Sequence, residues 1–410
     1  MKPAYLVLIV LPTLLADTPR TLVVLMMENH SYDHFMGYFS RINPATDGSN
    51  PTMCNRMGSN KYCVSHDGLF HTEEPENFIP DVDQQLFNSE YGVQPHKNAT
   101  PNMQGFVSNY AMYRGEKKAS EIMRGMNETT MPVLYTLAQE FAISDRWFSS
   151  VPGNLHIYQK QNGSSNSDWV TYKTLVLGST YPNRNFLHAA TSGGVVTNDF
   201  PSLGYPLTTT FEMLDRIHVG YGVYSASPIP STVLFRYFRS PFRSPDARNG
   251  RLPSYTYVEP AMFGVDQRLR NDQHPHAGKF YDIRRGEQFY KQVYEALRIW
   301  DEHGGFFDHV APPSGVPNPD NITHPTFDFT RLGVRVPAIL VSPRIPKGLV
   351  IPSSEIFEHA SVPSTLHALF GMPYLTLRDQ YATPFHTYAN LTTPRTDCVS
   401  KLPEPAWNLD

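Results

Sequence analysis

Thr21-Leu22-Val23-Val24-Leu25-Met26-Met27 runs without a break into Glu28-Asn29-His30-Ser31-Tyr32-Asp33-His34. A short, continuous aliphatic and β-branched run with no polar alternation describes a strand buried on both faces. Such strands belong to sheets covered by helices, and polar groups just past their carboxyl ends are where α/β proteins place ligands. Working outward, Val336–Ser342 (VPAILVS) reads as another buried strand, closed by Pro343. Met131–Phe141 (MPVLYTLAQEF) has helical spacing with Pro132 near its start. Gly286–Arg298 is a second helix candidate, and Val362–Phe370 a late helix ending near Gly371. Residues 40–105 are loop-rich and polar. Strands alternating with helices predict one α/β layered domain over residues 17–400, with no linker and no internal repeat.

The 410 residues are 40% hydrophobic and 12% aromatic, enough for a large core and too apolar for disorder. Lys plus Arg is 34 against 38 Asp plus Glu, a net charge of -4 with no basic run, which excludes a generic nucleic-acid binder. Met1-Lys2-Pro3, the apolar Ala4–Leu15 and the small Ala16 follow the pattern of a secretory signal peptide over residues 1–16; the plainer alternative is a buried first strand or helix. Sequons at Asn98, Asn127, Asn162, Asn321 and Asn390 fit a secreted glycoprotein. Cys54 and Cys63 could pair in an oxidising compartment, leaving Cys398 over.

Polar clusters that could carry chemistry are Glu28-Asn29, Ser179 to Arg184, Asp272 to Pro275, and Asp301 to His309. Glu28, Asn29, Asp301 and Glu302 offer hard oxygen atoms of the kind that hold a divalent cation. A hydroxyl beside such a cation is activated as a nucleophile, and nearby His and Arg stabilise a phosphoryl transition state. Each cluster taken singly also reads as a cap, a turn or a solvated loop.

Taken together the clusters resemble a known family. Glu28 to Gly37 (ENHSYDHFMG) is similar to the E-N-R-S-F-D-H-x-x-G opening of the phosphoesterase family, which holds bacterial phosphatidylcholine-type phospholipases C, plant non-specific phospholipases C and a group of acid phosphatases. Thr180-Tyr181-Pro182-Asn183-Arg184 resembles its T-x-P-N-R block, and Asp301 to Val310 (DEHGGFFDHV) its D-E-H-G-G-F-x-D-H-V block. Phe357-Glu358-His359-Ala360-Ser361 resembles a late block. The likeness is strongest to the plant-type members. It implies an alkaline phosphatase-like α/β fold, a central, mostly parallel sheet between helical layers. It also implies one divalent metal (Ca, Mg or Mn) held by Glu28, Asn29, Asp301 and Glu302. Thr180 is then the nucleophile, passing through a phospho-threonine. His274, His309 and His359 are assigned to phosphate contact or leaving-group protonation. Asn183 and Arg184 fall on the substrate side, with Arg184 as a brace for its loop.

The sequence departs from the family pattern in several places. His30 replaces the usual Arg and Tyr32 the usual Phe. Residues 154–178 interrupt a block that the family runs almost continuously into Thr180. Before Asp301, about a dozen residues and most of an apolar strand are expected to be missing, because helical Tyr294–Arg298 meets Ile299-Trp300 directly. No His stands in residues 80–87, where plant-type members carry an aspartate and a histidine, and the sequence does not say whether His71 substitutes. The clean edges of the insertion and the loss read as a retained intron and a skipped exon. The functions left open are a secreted phospholipase C in peripheral contact with a membrane, a secreted acid phosphatase acting on soluble phosphomonoesters, and an inactive relic of the fold.

Overall fold

The computed structural model describes residues 21–68, 73–96, 99–153, 180–199, 201–239, 252–262, 269–274, 282–294 and 296–407. The signal-peptide residues 1–16, the insertion 154–178, His71, Asn98 and Asn162 lie outside the described residues. The strands are β1 (Leu22–Met27), β2 (Cys54–Met57), β3 (Asn60–Cys63), β4 (Ala142–Ser144), β5 (Trp147–Phe148), β6 (Tyr221–Ser225), β7 (Tyr255–Glu259), β8 (Leu297–Trp300), β9 (Ala338–Leu340), β10 (Leu349–Val350) and β11 (Phe357–Glu358). The helices are α1 (Tyr32–Met36), α2 (Ile79–Phe87), α3 (Phe106–Arg114), α4 (Pro132–Glu140), α5 (Thr180–Ala189), α6 (Thr210–Arg216), α7 (Arg284–Gln292), α8 (Ser361–Phe370) and α9 (Leu377–Tyr381).

A seven-stranded sheet in the order β10-β4-β9-β8-β1-β7-β6 forms the centre. β6, β7, β1 and β8 are parallel neighbours, and β9 runs antiparallel to both β8 and β4. β1 lies mid-sheet, which is why its sequence is apolar on both faces: Val24 to Met27 are fully buried. Each such side chain contributes about 1.5–3 kcal/mol. α5 and α6 cover the face bearing Tyr255 and Tyr257, through His188 against Tyr257 and Phe211 against Tyr255. α7 covers the other face, with Tyr290 against Trp300 and Arg298. The chain is thus an α/β fold, a mostly parallel sheet flanked by helices.

Cys54 and Cys63 form a disulfide across the β2–β3 hairpin, and Cys398 takes no part in it. Pro132 opens α4, and Gly371 ends α8 in the left-handed region (φ 70°).

The second helix candidate needs correction. α7 ends at Gln292, and Leu297–Trp300 is not helical but a buried strand paired with β1. A four-residue strand therefore stands immediately before Asp301. Arg298 hid it, since a charged residue inside a four-residue strand breaks the apolar signature. Its guanidinium donates to the carbonyls of Tyr294 (2.8 Å), Ala296 (3.1 Å) and Val293, satisfying backbone acceptors that follow α7.

Candidate active site

The register of β1 against β8 pairs Met27 with Trp300, so Glu28-Asn29 and Asp301-Glu302 leave the sheet side by side. Asp301 N donates to Met27 O (3.1 Å), and Asn29 N donates to Asp301 Oδ1 (3.3 Å). Asn29 adopts φ 64°, a left-handed conformation that asparagine tolerates better than most residues. Gly304 (φ 63°) lies so close that a Cβ there would collide with the Asn29 carbonyl oxygen. Gly304 of the DEHGG block thus lets one loop fold onto the other.

Every predicted metal ligand is buried, with Asn29, Asp301 and Glu302 fully inaccessible and Glu28 nearly so. Glu28 Oε1 accepts from Arg184 Nη2 at 2.6 Å, and Glu28 Oε2 accepts from the Thr180 hydroxyl at 3.2 Å. Arg184 also meets Tyr257 Oη (2.7 Å) and Glu259 (3.1 Å), and its Nε lies 3.5 Å from Asp301 Oδ2. Glu302 accepts from Asn77 Nδ2 with both oxygens, at 2.6 and 2.7 Å. Burial, then the neighbouring Glu28 charge, pushes the Asp301 carboxyl well above its usual range. Burial pushes Glu302 up to about 8. Clustered carboxylates without water resist ionisation unless a cation joins them.

Two buried oxygens there, Asn29 Oδ1 and Asp301 Oδ2, have no hydrogen-bond partner. Both are hard oxygen atoms, and both belong to predicted ligands. A buried acceptor left unsatisfied costs about 1–3 kcal/mol, and a divalent cation would relieve both. The residues present therefore fit such an ion.

The structure separates the three histidines. His274 joins the centre: it packs on Asn29, its Nε2 lies 3.0 Å from Glu74 Oε1, and its Nδ1 lies 3.9 Å from Glu28 Oε2. Burial alone would lower its pKa, but Glu74 and then Glu28 outweigh this and push it up to about 10. His359 is close but committed: Nδ1 faces the Trp147 indole N–H (3.3 Å), and Nε2 meets the Asp301 carbonyl (2.7 Å). Burial pushes it down to about 4. His309 sits in a different cluster, between Asp33 (2.6 Å) and Asp47 (3.0 Å). Asn183, assigned to the substrate side, instead ties down the main chain: its Oδ1 accepts from Ser150 N (2.8 Å) and Val151 N (2.9 Å), and its Nδ2 donates to Val151 O (3.1 Å). Arg184, which the resemblance puts on the same side, directs its bonds to Tyr257 and to protein carboxylates, as a brace would.

Asp33, Asp308 and His309 bring three potential metal-ligand atoms within 4.8 Å of one another. Arg335 already occupies the midst of this group, donating to Asp33 Oδ1 (3.1 Å) and Asp308 Oδ1 (2.9 Å). A cation there would face a buried guanidinium, so the cluster works as an ion-pair network.

Sequence reasoning missed Asn77, Glu74, Glu259 and Tyr257. Glu259 had a usable signal, because it follows Tyr255-Thr256-Tyr257-Val258 at the carboxyl end of a strand, as Glu28 follows β1. Asn77 and Glu74 sit in irregular chain and carried none.

Comparison with known proteins identifies the family. The model of the phosphoesterase family matches residues 20–157 and 231–373. Non-specific phospholipase C6 of Arabidopsis thaliana is 36% identical over 429 residues, 94% of this chain and 75% of the relative. Non-specific phospholipase C1 of the same plant is 37% identical over 435 residues, 95% and 74% of the two chains. Phospholipase C B of Mycobacterium tuberculosis is 24% identical over 454 residues, 93% and 82%. With the family model matched over more than half of the chain and 94–95% of the chain aligned to plant relatives, this chain belongs to the phosphoesterase family and is a phosphoric ester hydrolase.

Proposed function

We propose that the protein is a secreted, metal-dependent phospholipase C that cleaves phospholipids into diacylglycerol and a phospho-headgroup through a phospho-threonine at Thr180. The observation that carries this reading is the Thr180 hydroxyl on Glu28, next to Asn29 Oδ1 and Asp301 Oδ2, two buried oxygens that accept no hydrogen bond. The plant relatives supply the substrate class.

Glu28, Asn29, Asp301 and Glu302 would hold one divalent cation; hard oxygen donors accept Ca²⁺, Mg²⁺ or Mn²⁺. When bound, the ion offsets the negative charge that develops on the reacting oxygens. Glu28 Oε2 accepts the Thr180 hydrogen bond and aims Oγ1. Thr180 Oγ1 attacks phosphorus, its proton passing toward Glu28, and the bond from phosphorus to the glycerol oxygen breaks. His274, held protonated by Glu74, gives a proton to the departing oxygen. Water then attacks the phospho-threonine, releasing the phospho-headgroup and restoring the hydroxyl.

The signal-like start, the Cys54–Cys63 disulfide and the exposed Asn321 and Asn390 sequons support a secreted glycoprotein. Among the described residues no helix is long and apolar enough to cross a membrane, so contact with phospholipid would be peripheral. The acidic balance gives nucleic acid no role.

Hydrolysis of phosphatidylcholine and of a soluble aryl phosphate monoester, with and without chelator and beside Thr180→Ala, tests the reading. Chelator-sensitive lipid turnover that is absent in Thr180→Ala supports it. Activity on the aryl ester alone makes the protein a phosphatase, and no turnover by folded protein makes it an inactive relic.

A further inference from the structure

We propose that Trp147 and His359 are positioning residues: a directed pair of hydrogen bonds that fixes the Asp301 main chain and so the place from which its carboxylate would meet the cation. The inference rests on the metal-site reading above. The donors define its direction. An indole N–H can only donate, so His359 Nδ1 must accept from Trp147 Nε1 (3.3 Å). That leaves the ring proton on Nε2, aimed at the Asp301 carbonyl 2.7 Å away. Trp147 and His359 are both fully buried, so no water competes for either bond. Trp147 is itself clamped by Phe357 and Phe385, with ring centres 5.5 and 5.6 Å away.

The pair stands on the small parallel ladder of β5 and β11, which registers Trp147 against Phe357 and Phe148 against Glu358. The chain leaving β5 also reaches α5, the helix that Thr180 opens. Ser150 Oγ accepts from His359 N (3.2 Å) and donates to Glu358 Oε2 (2.9 Å). Ser150 N and Val151 N donate to Asn183, three residues along α5 from Thr180. One short segment, residues 147–151, thus holds the Asp301 side and the Thr180 side of the centre in register. Partners behind a ligand commonly set its geometry, and losing them weakens metal binding about 10–100-fold.

The test is calorimetric titration of the full chain with Mn²⁺, in wild type, Trp147→Phe, His359→Leu and His359→Gln. Near-ultraviolet circular dichroism reports packing. Trp147→Phe and His359→Leu should weaken Mn²⁺ binding about 10–100-fold. His359→Gln keeps an N–H donor toward the Asp301 carbonyl and should recover most of the affinity. Folded variants that bind Mn²⁺ as tightly as wild type overturn the inference while the metal site stands. Wild type that binds no Mn²⁺ removes both. An imidazole ¹⁵N spectrum of the unmutated protein reads the same claim without a variant. His359 should be the neutral Nε2–H tautomer near pH 7, and an Nδ1–H tautomer or an imidazolium overturns the assignment.

Discussion

Arg184 Nη2 lies 2.6 Å from Glu28 Oε1, deep in the protein, while the other Glu28 oxygen faces the Thr180 hydroxyl. The same guanidinium meets Glu259, so one cation balances carboxylates from β1 and β7 ends. Removing one partner of a buried ion pair leaves uncompensated charge and costs about 3–5 kcal/mol. Arg184→Ala is expected to lower unfolding stability by that order in a denaturant titration. Arg184→Lys should recover only part of it, because an ammonium cannot reproduce the fork. Unchanged stability in both variants would contradict the brace.

Thr180→Ala should remove the proposed nucleophile while leaving the fold intact. Turnover of phosphatidylcholine is expected to fall by at least about 10³-fold, as for other nucleophile deletions, with a thermal midpoint close to wild type. Thr180→Ser keeps the hydroxyl and should retain measurable turnover. A Thr180→Ala protein with wild-type kcat would require another nucleophile.

Asn77 donates to both oxygens of Glu302. Asn77→Asp sets a carboxylate against a buried carboxylate. Divalent-ion affinity should drop about 10–100-fold, read by titration with Mn²⁺. Equal affinity would show that Glu302 does not need this partner.

The His309 cluster predicts an alkaline loss of stability. Burial alone would depress the His309 pKa, but Asp33 and then Asp47 push it up to about 10. The folded-state value lies above the ordinary unfolded one of about 6.5. Its contribution is therefore complete below about pH 6.5 and is lost as pH rises through about 10. The expected loss is on the order of 2–4 kcal/mol. Denaturant midpoints measured from pH 6 to 10 should decline in wild type and decline less in His309→Gln. Parallel curves would exclude His309 as the cause.

The sheet's centre was legible because β1 is buried on both faces and carries no charge. The Glu28-Asn29 exit was legible for the same reason, since polar residues follow the strand abruptly. β8 was misread because Arg298 is buried by bonding to carbonyls that follow α7, a tertiary solution that no local pattern displays. β7 was passed over because Tyr255 and Tyr257 are ambiguous alone and become core only under Phe211 and His188. The roles of His309 and His359 were not separable in sequence. Both follow motif carboxylates, and only the positions of Asp47 and Trp147 tell them apart.

The bond from Asn29 N to Asp301 Oδ1 joins residues 272 positions apart. At ribosomal rates of about 5–20 residues per second, Asp301 is made roughly 14–54 s after Asn29. Until then the first half of the centre has no second half. A fragment ending before Asp301 carries Glu28 and Asn29 without Asp301 and Glu302, so the centre closes only late in synthesis.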